Sequence, residues 1–306
     1  MIAILALAAV ALLQPISKEQ PFFAELAVYH SAADGAARAR ELIARKHPEL
    51  RVRTQEREKG GTSVFIREPP VAKYAPPDSD MLRYFGRGFT PDDEKRLVGS
   101  KSVTVLDLTA RNADGFAALH ALHELVLDLA RATSGYVWDD DTREAFTPGE
   151  FAKRRLADWQ SGAPRASKQY VVHAYPDGEL ARGVSLGMAK LGLPDLVIEG
   201  AVHSIARPLL EVMNLAAQEL VEGKRPDASG NLQLEIDSLR DPFERAHQLS
   251  LVETGAKKRA SIVLREGVRR DGDAENRLLE LDFGPLDGRE ARRPRWCASS
   301  SAARTS

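Results

Sequence analysis

His120 and His123 stand three residues apart in the stretch Asp114 to Arg131, with Glu124 directly after the second. Residues three apart share one face of a helix. Two imidazoles so placed can approach one metal ion, and with an acid from another segment they would make a water-activating centre for hydrolysis. The helical zinc motif of metalloproteases spaces its histidines four apart, as His-Glu-x-x-His. The pattern here is His-x-x-His-Glu, and the simpler reading is two helix histidines bordering an apolar stripe. The expectation is therefore no metal site and no cofactor, with His120, His123 and Glu124 as the candidates should one exist.

Other chemistry-bearing groups are weaker still. Asp139-Asp140-Asp141 offers carboxylate oxygens, but a calcium loop needs acids at alternate positions, a glycine and a distal Glu; a solvated turn is expected. The segment Gly183 to Gly192 holds three glycines with Ser185 and Lys190, without phosphate-loop spacing. His173 reads as a structural strand histidine. His30, Asp34 and Asp107 fall in one half of the chain and are candidates to line a cleft. No Gly-x-Ser-x-Gly elbow, Walker loop or Gly-x-Gly-x-x-Gly fingerprint occurs. Cys297 is the only cysteine, which excludes an intramolecular disulfide, a Cys-x-x-Cys redox pair and Cys-rich metal sites.

The elements that must position these groups alternate. Pro21 to His30 reads as a buried strand and is followed by a helix capped at Ser31 and stopped at His47-Pro48. Arg51 to Arg57 and Thr62 to Arg67 flank Lys59-Gly60-Gly61 as a hairpin. Asp78 opens a short turn, Thr90-Pro91-Asp92-Asp93 a helix, and Lys101 to Thr109 is a strand. The resulting β-α-β-β-α-β order is that of a ferredoxin-like sandwich.

Beyond it, Phe116, Leu119, Leu122, Leu125, Val126 and Leu129 form one stripe on a long helix. Tyr136 to Trp138 and Glu144 to Phe146 are short strands, and Thr147-Pro148-Gly149-Glu150 is a capping box. Lys168 to Tyr175 and Glu179 to Leu186 pair across Pro176-Asp177-Gly178, with Asp195 to Glu199 as the next strand. A helix over 203–222 and strands at 232–236, 261–264 and 277–283 follow. The segments YVWDDDTREAFTPGEF and LARGVSLGMAKLGLPDLVIEG resemble uncharacterised bacterial proteins carried as conserved domains of unknown function. That resemblance spans most of residues 21 to 240, implies one fold unit, and brings no activity or site residue with it.

The expected class is α/β of the α+β type: two adjoining modules of mixed or antiparallel sheet with helices, at 21–112 and 113–287. Residues 1–20 carry the unbroken apolar run Ile2 to Leu13, shorter than the ~20 residues of a membrane span and of signal-peptide length. The stretch 288–306 is rich in Arg, Ser and Ala and reads as a disordered tail. With 43 basic and 44 acidic side chains, the net charge of −1 provides no global basic excess for nucleic acid. A non-catalytic binding or interaction module follows, exported to the periplasm or medium, for an unknown protein or small-molecule partner, with no nucleic acid and no stable membrane span. The alternatives are the metal-assisted hydrolase and a cytoplasmic immunity or regulatory partner protein.

Overall fold

The computed structural model describes residues 20–55, 61–160, 162–201, 206–253 and 255–283. The apolar run 2–13, the Lys59-Gly60 part of the hairpin turn and the tail 288–306 with Cys297 lie outside them.

The fold is mixed α/β, built on a seven-stranded and a six-stranded sheet, with a further two-stranded ribbon. At the centre of the first sheet, β1 (Phe22–His30) pairs antiparallel with β5 (Ser102–Ala110) along its whole length. Both strands bury apolar side chains on both faces, as strands covered on two sides must, with Glu25, His30, Thr104 and Asp107 as polar exceptions. Ala24, Leu26 and Val28 with Leu106 and Leu108 meet α1 (Gly35–Lys46) and α4 (Gly115–Ala132). On the opposite face Ala27, Tyr29, Val103 and Val105 meet Leu82 of α2 (Ser79–Phe85) and Leu97 of α3 (Pro91–Val98). Asp78 and Thr90 cap these two helices as expected, Asp93 completing a capping box with Thr90. Helix α1 begins later than the sequence predicts, after Asp34 rather than Ser31, and Asp34 gives it no side-chain cap.

The ferredoxin-like arrangement is not formed. The four strands in question lie in the order β2 (Arg51–Arg53), β3 (Ser63–Arg67), β5, β1, and β2 runs parallel to β3, so the expected hairpin is absent. A ferredoxin-like sheet would put the first strand between the third and fourth. Here the long register between β1 and β5 brings β5 inside, and the free edge of β1 takes β6 (Tyr136–Asp139). Beyond it lie β7 (Glu144–Phe146) and β4 (Gly86–Arg87). The change of sheet thus falls after Phe146, not at residue 112, because α4 and the β6–β7 hairpin belong with the first sheet.

The second sheet runs β10 (Val171–Asp177), β11 (Leu180–Leu186), β12 (Asp195–Ala201), β15 (Leu278–Asp282), β14 (Arg259–Glu266), β13 (Asn231–Glu235), with β12 and β15 parallel and the other pairs antiparallel. The ribbon is β8 (Trp159–Gln160) with β9 (Ala163–Pro164). Helix α6 (Ala206–Val221) packs on β12 and β13, and α7 (Pro242–Glu253) packs on α6. Sequence periodicity does not reveal α7, because it buries Glu244 and Gln248 in place of an apolar stripe. One contiguous apolar core joins the two sheets. No helix among the described residues is long and apolar enough to cross a membrane.

Leu122 is 0 % exposed in the middle of the α4 stripe. Leu122→Ala is expected to lower unfolding free energy by about 2–5 kcal/mol through lost transfer energy and the cavity left behind. Urea denaturation measures this, and a change below about 0.5 kcal/mol would contradict the packing described.

Candidate functional site

The two segments singled out by their sequence meet in space. Strand β6 ends on Asp139, whose carboxylate is fully buried and serves two cations at once. Arg155 donates to Asp139 Oδ2 from Nε at 2.9 Å and from one Nη at 2.7 Å, and Lys190 Nζ reaches the same oxygen at 2.5 Å. The Nη that meets Asp139 also donates to Thr142 Oγ1 at 2.9 Å and Glu144 Oε2 at 2.8 Å, while the other reaches the Lys168 carbonyl at 2.5 Å. Two cations and two anions thus balance inside the protein, and Arg87 adds a partly exposed bond to Glu144 at 2.8 Å.

Local backbone irregularities aim these groups. Helix α5 (Pro148–Phe151), capped by the Thr147 hydroxyl, widens into a π-helical turn over Ala152–Leu156. That turn carries Arg155 against the Phe146 ring, 4.8 Å from its centroid. Such turns are rare and concentrate at sites with special demands. Lys190 rides on a single 3₁₀ turn, Met188–Leu191, bounded by Gly187 and Gly192 in left-handed conformations. At Gly187 a Cβ would stand 2.8 Å from Thr142 Cγ2 and 3.2 Å from the Gln169 carbonyl oxygen. Only glycine lets this turn close against the β6–β7 hairpin.

Electrostatics follow from burial. Burial pushes the Asp139 carboxyl up, but Lys190 and Arg155 outweigh it and hold the group below the usual carboxylate range. Glu144 behaves likewise under Arg155 and Arg154. For Lys190 burial wins over Asp139 and lowers the ammonium pKa. Asp141 is pushed well up, first by burial and then by Asp139 and Asp140, against the pull of Lys190.

Above this cluster a cleft of about 750 Å³ opens between the sheets. The Asp140–Arg143 turn forms one side, Gly187, Ala189 and Asp195 the other, and the 273–277 segment leading into β15 crosses it. Burial pushes the Asp195 carboxyl up to about 6 against hydrogen bonds from Asn276, Ser185 and the Met188 amide. Of the two arginines in the wall, Arg277 is paired with Glu266 and Arg143 donates to the Gly272 carbonyl. Asp273 is held by Arg182. Asp140, Asp141, Asp195 and Glu275 are left as the cleft's acidic side.

The sequence candidates fall elsewhere. His123 is fully buried, edge-on to Phe151 at 5.5 Å and to Trp159 at 6.1 Å, and neither ring nitrogen has a hydrogen-bond partner. His120 is at the surface, edge-on to Trp159 at 4.8 Å, with Nδ1 3.5 Å from Glu124. Among the described residues no group of three or more His, Cys, Asp or Glu is disposed to hold a metal ion. His30 bonds Thr104 on the α1 face of the first sheet, whereas Asp107 lies opposite Glu25 on the other face, bound to Arg67. Asp34 pairs with Arg38 at the surface, so these three residues line no common cleft. His173 stacks on Phe85 at 5.3 Å. Of Asp139 to Asp141, expected as a solvated turn, Asp140 is exposed in the turn between β6 and β7, whereas Asp139 is buried and anchors the cluster. Arg155 carries no sequence signal beyond its place in the basic run Lys153-Arg154-Arg155, and Lys190 none beyond its flanking glycines.

No family model matches the chain, and no curated protein or solved structure does so either.

Two measurements check this site. Arg155→Met would leave buried Asp139 with Lys190 alone and buried Glu144 with Arg87 as its hydrogen-bonded cation, and is expected to cost about 3–5 kcal/mol in denaturant titration; a loss below about 1 kcal/mol would mean the cluster contributes little. His123 is held neutral, its pKa well below the ordinary 6.5, first by burial and then by Lys190 and Arg155. The unfolded chain therefore binds the extra proton, and this share of stability is lost as pH falls below about 6.5. His123→Leu is expected to flatten the decline in stability between pH 7 and pH 5, whereas an unchanged slope would assign the decline to other groups.

Proposed function

We propose that the protein is an exported, non-catalytic binding module that holds a small positively charged molecule in the cleft between its two sheets. The observation carrying this reading is the imbalance of the cleft: Asp140, Asp141, Asp195 and Glu275 line it, while Arg277 is paired with Glu266 and Arg143 alone keeps an uncompensated charge beside Asp140. Carboxyls crowded by burial and by each other favour a cation that relieves them. Its volume lies within the range of about 300–1,000 Å³ for small-molecule sites. The ion cluster below supports binding over turnover, since Lys190 and Asp139 neutralise each other out of reach of solvent. Export rests on the apolar run Ile2 to Leu13.

The test is calorimetric titration with spermidine, arginine ethyl ester and choline, with glutamate as the opposite-charge control. At least one cation is expected to bind saturably. Asp140→Asn keeps an acceptor for the Trp138 indole N–H and is expected to weaken binding about tenfold, the loss of a charge-assisted contact. Affinity should also fall as pH drops through about 6, where Asp195 gains its proton. Binding by none of the cations, or equal binding in the variant, would refute the cleft reading. Fractionation of the native host with intact-mass analysis tests export, the expectation being a chain shortened by about 13–24 residues; full-length protein in the cytosol would refute it.

A further inference from the structure

A second cleft, of about 540 Å³, opens on the far side of the start of β1. It is bounded by the first turn of α4, by the segment after the Lys190 turn, and by the end of α6 with its following loop. Its floor is apolar, formed by Phe22, Phe116, Leu193, Leu220 and Leu279. The Phe22 ring meets Phe116 edge-on at 5.1 Å. It is wedged against two glycines, where a Cβ would come within 2.2 Å of the ring at Gly115 and 2.6 Å at Gly192. This floor is fixed before any ligand arrives, which lowers the cost of binding.

The rim is charged and asymmetric. Arg225, Arg240 and Glu222 line it. The Glu222 carboxylate is turned to its own neighbours, accepting from the Asp241 amide at 2.9 Å, the Arg240 amide at 2.6 Å and Gln218 Nε2 at 2.9 Å. Arg225 donates to the carbonyls of Leu220 at 2.8 Å and Lys224 at 2.9 Å, and Arg240 to that of Glu222 at 2.7 Å. Both guanidiniums are thereby tethered at the mouth, and they offset the negative end of α6. Arg240 Nε also lies 3.7 Å from the Glu222 carboxylate, so two cations against one anion leave the rim with a single net positive charge. The wall opposite is the N-terminal turn of an 18-residue helix whose residue Asp114 supplies no side-chain cap; its carboxylate is engaged by Thr62 and Arg111. The positive end of that helix adds to the field of the two arginines.

From this juxtaposition of a rigid apolar floor and a cationic mouth, we infer that the second cleft binds an amphipathic monocarboxylate. The alkyl chain lies over Phe22 and Leu193, and the carboxylate meets Arg225 and Arg240. This site is independent of the acidic cleft, and its ligand carries the opposite charge.

The experiment titrates the folded protein with decanoate below its micelle-forming concentration. Acetate, decanol and decyltrimethylammonium are the comparison probes. Decanoate is expected to bind saturably. Acetate, without the chain, and decyltrimethylammonium, with the opposite charge, should not bind, and decanol should bind at least about tenfold more weakly than decanoate. Arg225 is exposed, so Arg225→Ala, which gives up its two carbonyl contacts at the end of α6, should lower the thermal melt by no more than about a few degrees while reducing decanoate affinity about tenfold, the loss of one charged contact. Asp140→Asn should leave it untouched, which separates this site from the acidic cleft. No decanoate binding, equal binding of decanol, preference for the cationic amphiphile, or full affinity in Arg225→Ala would each overturn the inference.

Discussion

Asp139 must satisfy two cations with one carboxylate, and much of the molecule is arranged around that demand. Arg155 arrives from a widened helical turn, Lys190 from a turn bounded by two left-handed glycines, and Glu144 from the neighbouring strand. Each charge alone would be costly in the interior; together they balance, and every remaining Arg155 donor finds Thr142, Glu144 or the Lys168 carbonyl. Because Asp139 ends a strand of the first sheet and Lys190 belongs to the approach to β12, the pairing also fixes how the two sheets meet. The acidic cleft is the solvent-facing side of this junction.

Much of the fold could be read from local pattern. The stripe from Phe116 to Leu129 is the buried face of α4, Thr90 and Thr147 do cap their helices, and the hairpin around Pro176-Asp177-Gly178 forms as β10 and β11. What escaped was long-range. Strand order depends on which edges meet, and nothing local says that Leu26 faces Asp139 across the sheet. Helix α7 was missed because its buried positions are polar.

The site was legible only in fragments. Histidines attract attention by type, yet His123 is sealed among Phe151 and Trp159, and His120 stays at the surface. The residues that converge are an aspartate expected to be solvated, one arginine of a basic run, and a lysine between glycines. Their roles arise from burial and from neighbours more than ten residues away, which spacing along the chain does not encode. The two clefts flank the same short stretch, Phe22 facing one and Phe23 the other, so the alternation of a single strand start divides an apolar basin from an acidic one.

The placement of β15 bears on how the chain is made. Residues 278–282 lie inside the second sheet, between β12 and β14, although they are among the last described to leave the ribosome. Until they emerge, β12 and β14 each present an open hydrogen-bonding edge, and the 273–277 wall of the acidic cleft has no anchor at its far end. Open edges recruit other chains. A product ending before Leu278 would therefore lack more than a terminal strand: its second sheet would be split in two, with both fractures available to neighbouring copies.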